Sequence, residues 1–253
     1  MSFDSLPSKN DKELFKHISC FFVGIERDFT ETILEACDIN TRSGITNLID
    51  RCLLSIGWNN ELKMHQLVQE MGRFEVRQES PDKPWKRSRI WSHKESFRVL
   101  KQKKGKGNLL GLTFDMRMLE KEKLCASFEL KTDAFNNMDM LRILQLNYVH
   151  MNGSYENFPI EIRWMCMHGL GEFDQLPTLE RLIVRNCIDL VENSDMDMLK
   201  NVKTMLLDGC SLGESRIQNR DTDSLELCMV NNIDINTRTT SSSFVGAIPS
   251  DME

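Results

Sequence analysis

Apolar residues recur at helical spacing through the first third of the chain. Leu14, Phe15, Ile18, Phe21 and Phe22 predict an amphipathic helix over 11–23, with Gly24 as its stop. A second helix is predicted over 28–37. A third covers 43–53, where Ile45, Leu48, Ile49, Cys52 and Leu53 form one stripe and Ser43 can serve as N-cap. The period then shortens. Leu54–Ile56 and Leu62–Met64 read as short strands around the turn Gly57-Trp58-Asn59-Asn60. A last helix follows over 65–79, with Leu67, Val68, Met71 and Phe74 predicted to face inward and Pro81 and Pro84 ending it. Three helices and a hairpin make a winged-helix arrangement, which roughly 80 residues can close around a core.

Beyond Gly107 the pattern is repetition. The template L-x-x-L-x-L-x-x-(N/C/L) matches five times when other large apolar residues stand for leucine. The matches are Leu109, Leu112, Phe114; Leu141, Leu144, Leu146, Val149; Ile162, Met165, Met167, Leu170; Leu179, Leu182, Val184, Cys187; and Val202, Met205, Leu207, Cys210. Each would supply one strand whose alternate residues point into a core. A single repeat cannot bury them, so neighbours must stack. Cys187 and Cys210 take the position where a small buried side chain closes the turn. The last stretch, with its run Thr237-Arg238-Thr239-Thr240 and three serines, lacks sustained apolar pattern and reads as a loose tail.

Composition is that of an ordinary soluble protein, 40% hydrophobic and 28% charged. No run spans a bilayer and the N-terminus lacks the features of a signal peptide. Charge divides the chain. Residues 1–107 hold 19 Lys and Arg against 15 acids, and residues 108–253 hold 13 against 23. A junction near Gly105-Lys106-Gly107 fits that division. Segment 83–106 holds ten basic residues and one acid, Glu95, and could meet the acidic repeat region electrostatically. The eight cysteines, at 20, 37, 52, 125, 166, 187, 210 and 228, have no zinc-binding spacing and read as reduced thiols in a cytosolic protein.

Several blocks make the chain resemble plant resistance proteins of the TIR, nucleotide-binding, leucine-rich-repeat type. They are Ser2-Phe3-Asp4-Ser5-Leu6 with Lys12-Glu13-Leu14-Phe15; His17-Ile18-Ser19-Cys20-Phe21-Phe22; the block from Asn47 to Leu53; Met64-His65-Gln66-Leu67-Val68-Gln69-Glu70-Met71-Gly72-Arg73; Gln78-Glu79-Ser80-Pro81; and Lys86-Arg87-Ser88-Arg89-Ile90-Trp91. Ala134-Phe135-Asn136-Asn137-Met138 and the block Leu141–Leu146 follow in the family's order. The resemblance implies a nucleotide-binding module, closed around ADP at rest and exchanging it for ATP, with the winged helix as its lid. It implies a repeat array that senses a pathogen effector, a guarded host protein or another receptor of the family. In the family's Met-His-Asp motif the histidine faces the ADP phosphates. Met64 and His65 match that motif, and Gln66 replaces the acid.

The fold expected is therefore multidomain, α plus α/β: a helical winged-helix domain followed by a short leucine-rich-repeat solenoid with parallel strands. Residues 1–27 would end the helical subdomain of the nucleotide-binding module, 28–105 form the winged helix, 106–212 the repeats and 213–253 the tail. No G-x-x-x-x-G-K-[ST] phosphate loop and no TIR region occur in this sequence, so a partial chain that binds ADP weakly is expected. No catalytic residues, metal or enzyme activity are expected. The G-x-S-x-G match at Gly209–Gly213 has no later histidine and coincides with a repeat turn. The expected role is protein interaction in defence signalling, in the cytoplasm with the nucleus as a second compartment, without membrane or nucleic-acid partners. Two alternatives stand beside it: a winged-helix nucleic-acid-binding protein, suggested by the basic stretch with Trp85 and Trp91 although the third helix has only Arg42 and Arg51 in or beside it, and a truncated product without function.

Overall fold

A computed structural model describes residues 3–105, 107–123, 128–149, 151–153 and 157–168, with the strand segments 181–185, 204–208, 227–233 and 240–245. Helix α1 spans Lys9–His17 and is N-capped by Ser8, whose Oγ accepts the Asp11 N–H at 3.0 Å. It continues into a π-helical turn, Ile18–Phe22. Helices α2 (Arg27–Ala36) and α3 (Arg42–Asp50) follow. Their inward residues Ile33, Leu34, Ile45 and Leu48 join Leu14, Phe15, Ile18 and Phe22 in one core. The start of α3 differs from the sequence expectation, because Thr41 occupies the N-cap position and Ser43 lies within the first turn. The reason is long-range. The Asn10 amide donates to the Asn40 carbonyl at 2.7 Å and accepts the Asn40 N–H at 3.0 Å, which fixes where the chain can begin to coil.

The hairpin pairs β1 (Ser55–Ile56) with β2 (Leu62–Lys63) in antiparallel register. Asn60 closes the turn at φ +54°, a left-handed conformation that asparagine tolerates. The segment after α1 lines up beside the hairpin, with Gly24 N–H bonded to the Leu62 carbonyl and Leu62 N–H to the Ile25 carbonyl. Helix α4 spans Gln66–Gln78 and stops before Pro81, as the sequence predicts.

Then the architecture changes to a parallel sheet. Strand β3 (Arg89–Ile90) is its edge, and α5 (His93–Lys101) packs on β4 (Gly111–Asp115). After β4 come α6 (Met116–Lys121) and β5 (Leu130–Lys131). Next are β6 (Ile143–Asn147), β7 (Met151–Asn152), β8 (Trp164–His168), β9 (Arg181–Arg185), β10 (Thr204–Asp208), β11 (Leu227–Ile233) and β12 (Thr240–Val245). The sheet order is β12-β11-β10-β9-β8-β6-β4-β3, parallel throughout except for β12. A separate small parallel pair joins β5 to β7.

The strands β4, β6, β8, β9 and β10 fall on the five template matches, and their register aligns the template. Leu112, Leu144, Met165, Leu182 and Met205 are successive Cα partners. Among the described side chains, Leu112, Phe114, Leu144, Leu146 and Met165 are buried in one core. Leu170, Leu179, Cys187, Val202, Cys210 and the Gly209–Gly213 match lie outside the described residues. Two differences from the sequence reading stand out. Strands β11 and β12 lie in the stretch read as a loose tail, because a sheet edge supplies hydrogen bonds whatever the side-chain pattern. Ile90, Val99 and Leu100, read as part of the winged-helix segment, belong to the core of the sheet.

Strand alternation gives the sheet a second face, and the helical domain sits on it. Gly111, Ile143 and Trp164 are register partners and form one row. Ile143 and Trp164 are buried in the core of the helices. The Trp164 ring lies 5.7 Å from Phe22 and 6.5 Å from Phe29, centroid to centroid. A Cβ at Gly111 would stand 2.5 Å from the Phe21 ring, so a larger residue there would have to push that ring aside.

Candidate functional site

The site predicted from sequence lies where the hairpin delivers the chain to α4. Met64 is half-buried and packs against the helical core. His65 is exposed and is the N-cap of α4, in extended conformation. Its Nδ1 accepts the Leu67 N–H at 3.2 Å. An accepting Nδ1 bears no proton, so the neutral ring in this arrangement keeps its proton on Nε2, the nitrogen that the cap leaves uncommitted. The first-turn N–H groups of α4 and an imidazole donor thus share one place on the surface, an arrangement suited to an anion. Gln66, where the family motif has an acid, is exposed beside them.

What holds α4 is a set of contacts that the Met64–Arg73 block encodes. The π-helical turn brings the Ser19 carbonyl toward α4, where Gln69 Nε2 donates to it at 3.1 Å and Arg73 Nε at 3.2 Å. Gly72 allows the approach: a Cβ there would stand 2.2 Å from Ser19 Oγ and 3.0 Å from Phe15. Arg73 and Arg77 lie over the Trp91 ring at 5.8 and 5.1 Å, and Glu70 pairs with both arginines. Hydrogen bonding to Arg73 holds the Glu70 carboxyl below its usual range. Two residues predicted to face inward do not: Leu67 is 74% exposed and Phe74 51%. The tight seat at Gly72 turns α4 so that Val68 and Met71 face inward as predicted, with Gly72 and Val76 in place of Leu67 and Phe74. With Trp58, fully exposed at the hairpin tip, Leu67 and Phe74 leave large apolar side chains in solvent.

Below the site, charged groups tie the helices to the sheet. Arg89 of β3 is fully buried and donates to Glu13 Oε2 at 2.8 Å and to Ser88 Oγ at 2.8 Å. Burial alone would raise the Glu13 carboxyl, but Arg89 and Lys16 outweigh it and hold it below its usual range. Arg142, just before β6, donates to the Cys37 carbonyl at 2.6 Å and to Asp38 at 3.0 Å, holding the end of α2. His17 is buried beside these groups, and its Nδ1 has no partner among the described residues. Burial first, then Arg89, Lys16 and Arg142, push its imidazole well below the usual range. Burial pushes the Cys20 thiol up to about 12, which keeps it protonated and inert.

The basic segment 83–106 is only partly a free surface. Arg87 is buried and bonds to the Ser80 and Pro81 carbonyls and to Glu95. Arg89 is spent on Glu13, and Lys103 pairs with Asp133. Sequence reasoning missed Arg89, Gly72 and Trp164 as structural determinants, because their partners lie far along the chain. Among the described residues no cluster of His, Cys, Asp and Glu could hold a metal, and no helix is long and apolar enough to cross a membrane.

Comparison with known proteins identifies relatives of the winged-helix part and of much of the chain. The family model for the winged-helix domain of Roq1-like disease resistance proteins matches residues 8–80. The chain is 31% identical over 194 residues to disease resistance protein RUN1 of Vitis rotundifolia, covering 73% of this chain and 14% of that protein. It is 35% identical over 176 residues to disease resistance protein RPP2A of Arabidopsis thaliana, covering 70% and 12%. To TMV resistance protein N of Nicotiana glutinosa it is 27% identical over 239 residues, covering 83% and 20%. The chain thus spans a fifth or less of the length of these relatives. It belongs to the plant disease resistance family whose TIR-type, nucleotide-binding, leucine-rich-repeat members include them, and its residues 8–80 match that family's Roq1-like winged-helix domain.

Proposed function

We propose that this chain is the lid and the first repeats of an intracellular immune receptor, acting through protein–protein contacts and without catalysis. The observation that carries the reading is the placement of His65. It caps α4 at the surface with Nε2 uncommitted, where the phosphates of a nucleotide held by a neighbouring module would meet it. The exposed Leu67 and Phe74, seven residues apart on one helix, fit a face that another module covers. ADP would gain from this chain one imidazole donor and the helix terminus. The phosphate-loop lysine and hydroxyl have no counterpart in the sequence, so tight binding requires the second module. Gln66 offers a neutral amide in place of a carboxylate, which weakens the locked state relative to an aspartate.

The parallel ladder supports a leucine-rich-repeat coil. Its template residues stay in register over five strands, which is how stacked repeats bury what each alone cannot. A pathogen effector, a guarded host protein or another receptor would be the partner of that array, in the cytoplasm or the nucleus. The nucleic-acid alternative is less well supported, since Arg87 and Arg89 are engaged internally. The test is to fuse this chain behind the nucleotide-binding module of RUN1 and measure ADP release. His65→Ala should speed release about tenfold, the loss of one charge-assisted hydrogen bond, and Gln66→Asp should slow it. Release unchanged by His65→Ala would overturn the assignment.

A further inference from the structure

A hollow of about 480 Å³ lies against the two ends of the basic segment, lined by Trp85, Lys86, Lys104, Gly107 and Asn108. Its walls are held in place. The single turn Pro84–Lys86 presents Trp85 half-buried, with Pro84 buried behind it. At the other wall α5 ends in a Schellman motif: Lys103, at φ +50°, donates to the Leu100 carbonyl at 3.1 Å, and Lys104 N–H reaches the Val99 carbonyl at 3.1 Å. Gly105 is buried against Met138, where a Cβ would stand 2.1 Å from the methionine methyl. Lys104 is therefore launched from a fixed backbone, and its ammonium sits 4.9 Å from the Trp85 ring centre.

Among the described residues no acid balances the charge of the two lysines at this hollow. Arg87 is matched by Glu95, Arg89 by Glu13 and Lys103 by Asp133. Lys86 and Lys104 have no ion-pair partner among the described residues and both border the hollow. We propose that this hollow is a binding site for a small organic phosphomonoester, its phosphate between Lys86 and Lys104 and its organic body against Trp85. Two ammonium groups match a phosphate carrying about −1.5 to −2 charges at neutral pH. The volume exceeds what a phosphate alone fills, and Trp85, once Lys104 turns from its ring to the phosphate, offers an apolar wall to a flat body. This site is separate from His65 and does not depend on the role given to it.

Titration calorimetry on the intact chain tests the proposal, with adenosine monophosphate, glucose 6-phosphate and inorganic phosphate as probes. Saturable binding of adenosine monophosphate, tighter than of the other two and weakened at least tenfold by Lys86→Ala with Lys104→Ala, is the expected result. Lys63→Ala, on the hairpin, should leave it unchanged. Both lysines are exposed, so the double variant should fold, and circular dichroism checks that it does. Trp85→Leu should remove the preference for adenosine monophosphate over inorganic phosphate. Absence of saturation at millimolar concentration, equal affinity for inorganic phosphate, binding that survives the double variant, or tighter binding of a polyglutamate peptide would each overturn it.

Discussion

Arg89 and Glu13, separated by 76 residues in sequence, form a contact at 2.8 Å in which the guanidinium is wholly buried. It joins the first helix to the edge strand of the sheet. A fully desolvated cation is tolerable only while its partner remains, so the pair fixes the position of one layer on the other rather than adding much net stability. Removing the carboxylate alone, Glu13→Ala, should destabilise the chain by about 3–5 kcal/mol. Replacing both, Glu13→Leu with Arg89→Met, should recover most of that loss. Urea unfolding of the two variants checks this; equal stability of both would show that the ion pair is not the determinant.

Gly72 sets how closely α4 approaches the π-helical turn. Gly72→Ala puts a methyl 2.2 Å from Ser19 Oγ and should cost about 1–3 kcal/mol, although alanine is the better helix former. Ser19→Gly in the same chain should relieve most of the clash. Thermal denaturation of the single and double variants reads the effect, and a Gly72→Ala chain as stable as the parent would contradict the packing described.

Trp164 and Trp58 make opposite predictions. Trp164 is buried between Phe22 and Phe29, so Trp164→Ala should cost about 3–5 kcal/mol and increase amide exchange along residues 18–22. Trp58 is fully exposed, and Trp58→Ala should change stability by no more than about 0.5 kcal/mol. Urea midpoints and hydrogen exchange measured together distinguish the two sites.

His17 makes stability depend on pH. Its folded imidazole titrates well below 6.5, so near and below that value the unfolded chain binds the extra proton. The stability it contributes is complete above about pH 6.5 and falls as the pH drops toward the folded value. Glu13, also lowered, adds a loss that begins below its unfolded value of 4.5. His17→Leu should flatten the decline between pH 6.5 and 5 and leave the acid limb in place. Melting temperatures taken across about pH 3–8 provide the measurement; an unchanged profile would exclude His17 as the titrating group.

The two patterns most visible in the sequence were those with a fixed local period. Leu14, Phe15 and Ile18 marked α1, and the pairs Leu112–Phe114, Leu144–Leu146 and Met165–Met167 marked strands that the sheet aligns. The Met64–His65 pair stood out by resemblance, and the hairpin and α4 place it at a helix start. Leu67 and Phe74 misled because helical spacing identifies a stripe without saying which neighbour will cover it. The end of the chain misled in the opposite sense: β11 and β12 pair through backbone groups that no side-chain pattern announces.

By itself the sequence determined where α1 to α4 coil, where the short hairpin turns and which residues repeat, because those depend on contacts within a few residues or on a regular period. Tertiary structure decided the rest. Gly111 meets Phe21, Trp164 meets Phe22, Arg89 meets Glu13 and Arg142 meets the end of α2 across distances that no local window spans. Each of these residues is ordinary in its own neighbourhood, and becomes decisive because close packing leaves room for one arrangement of the two layers.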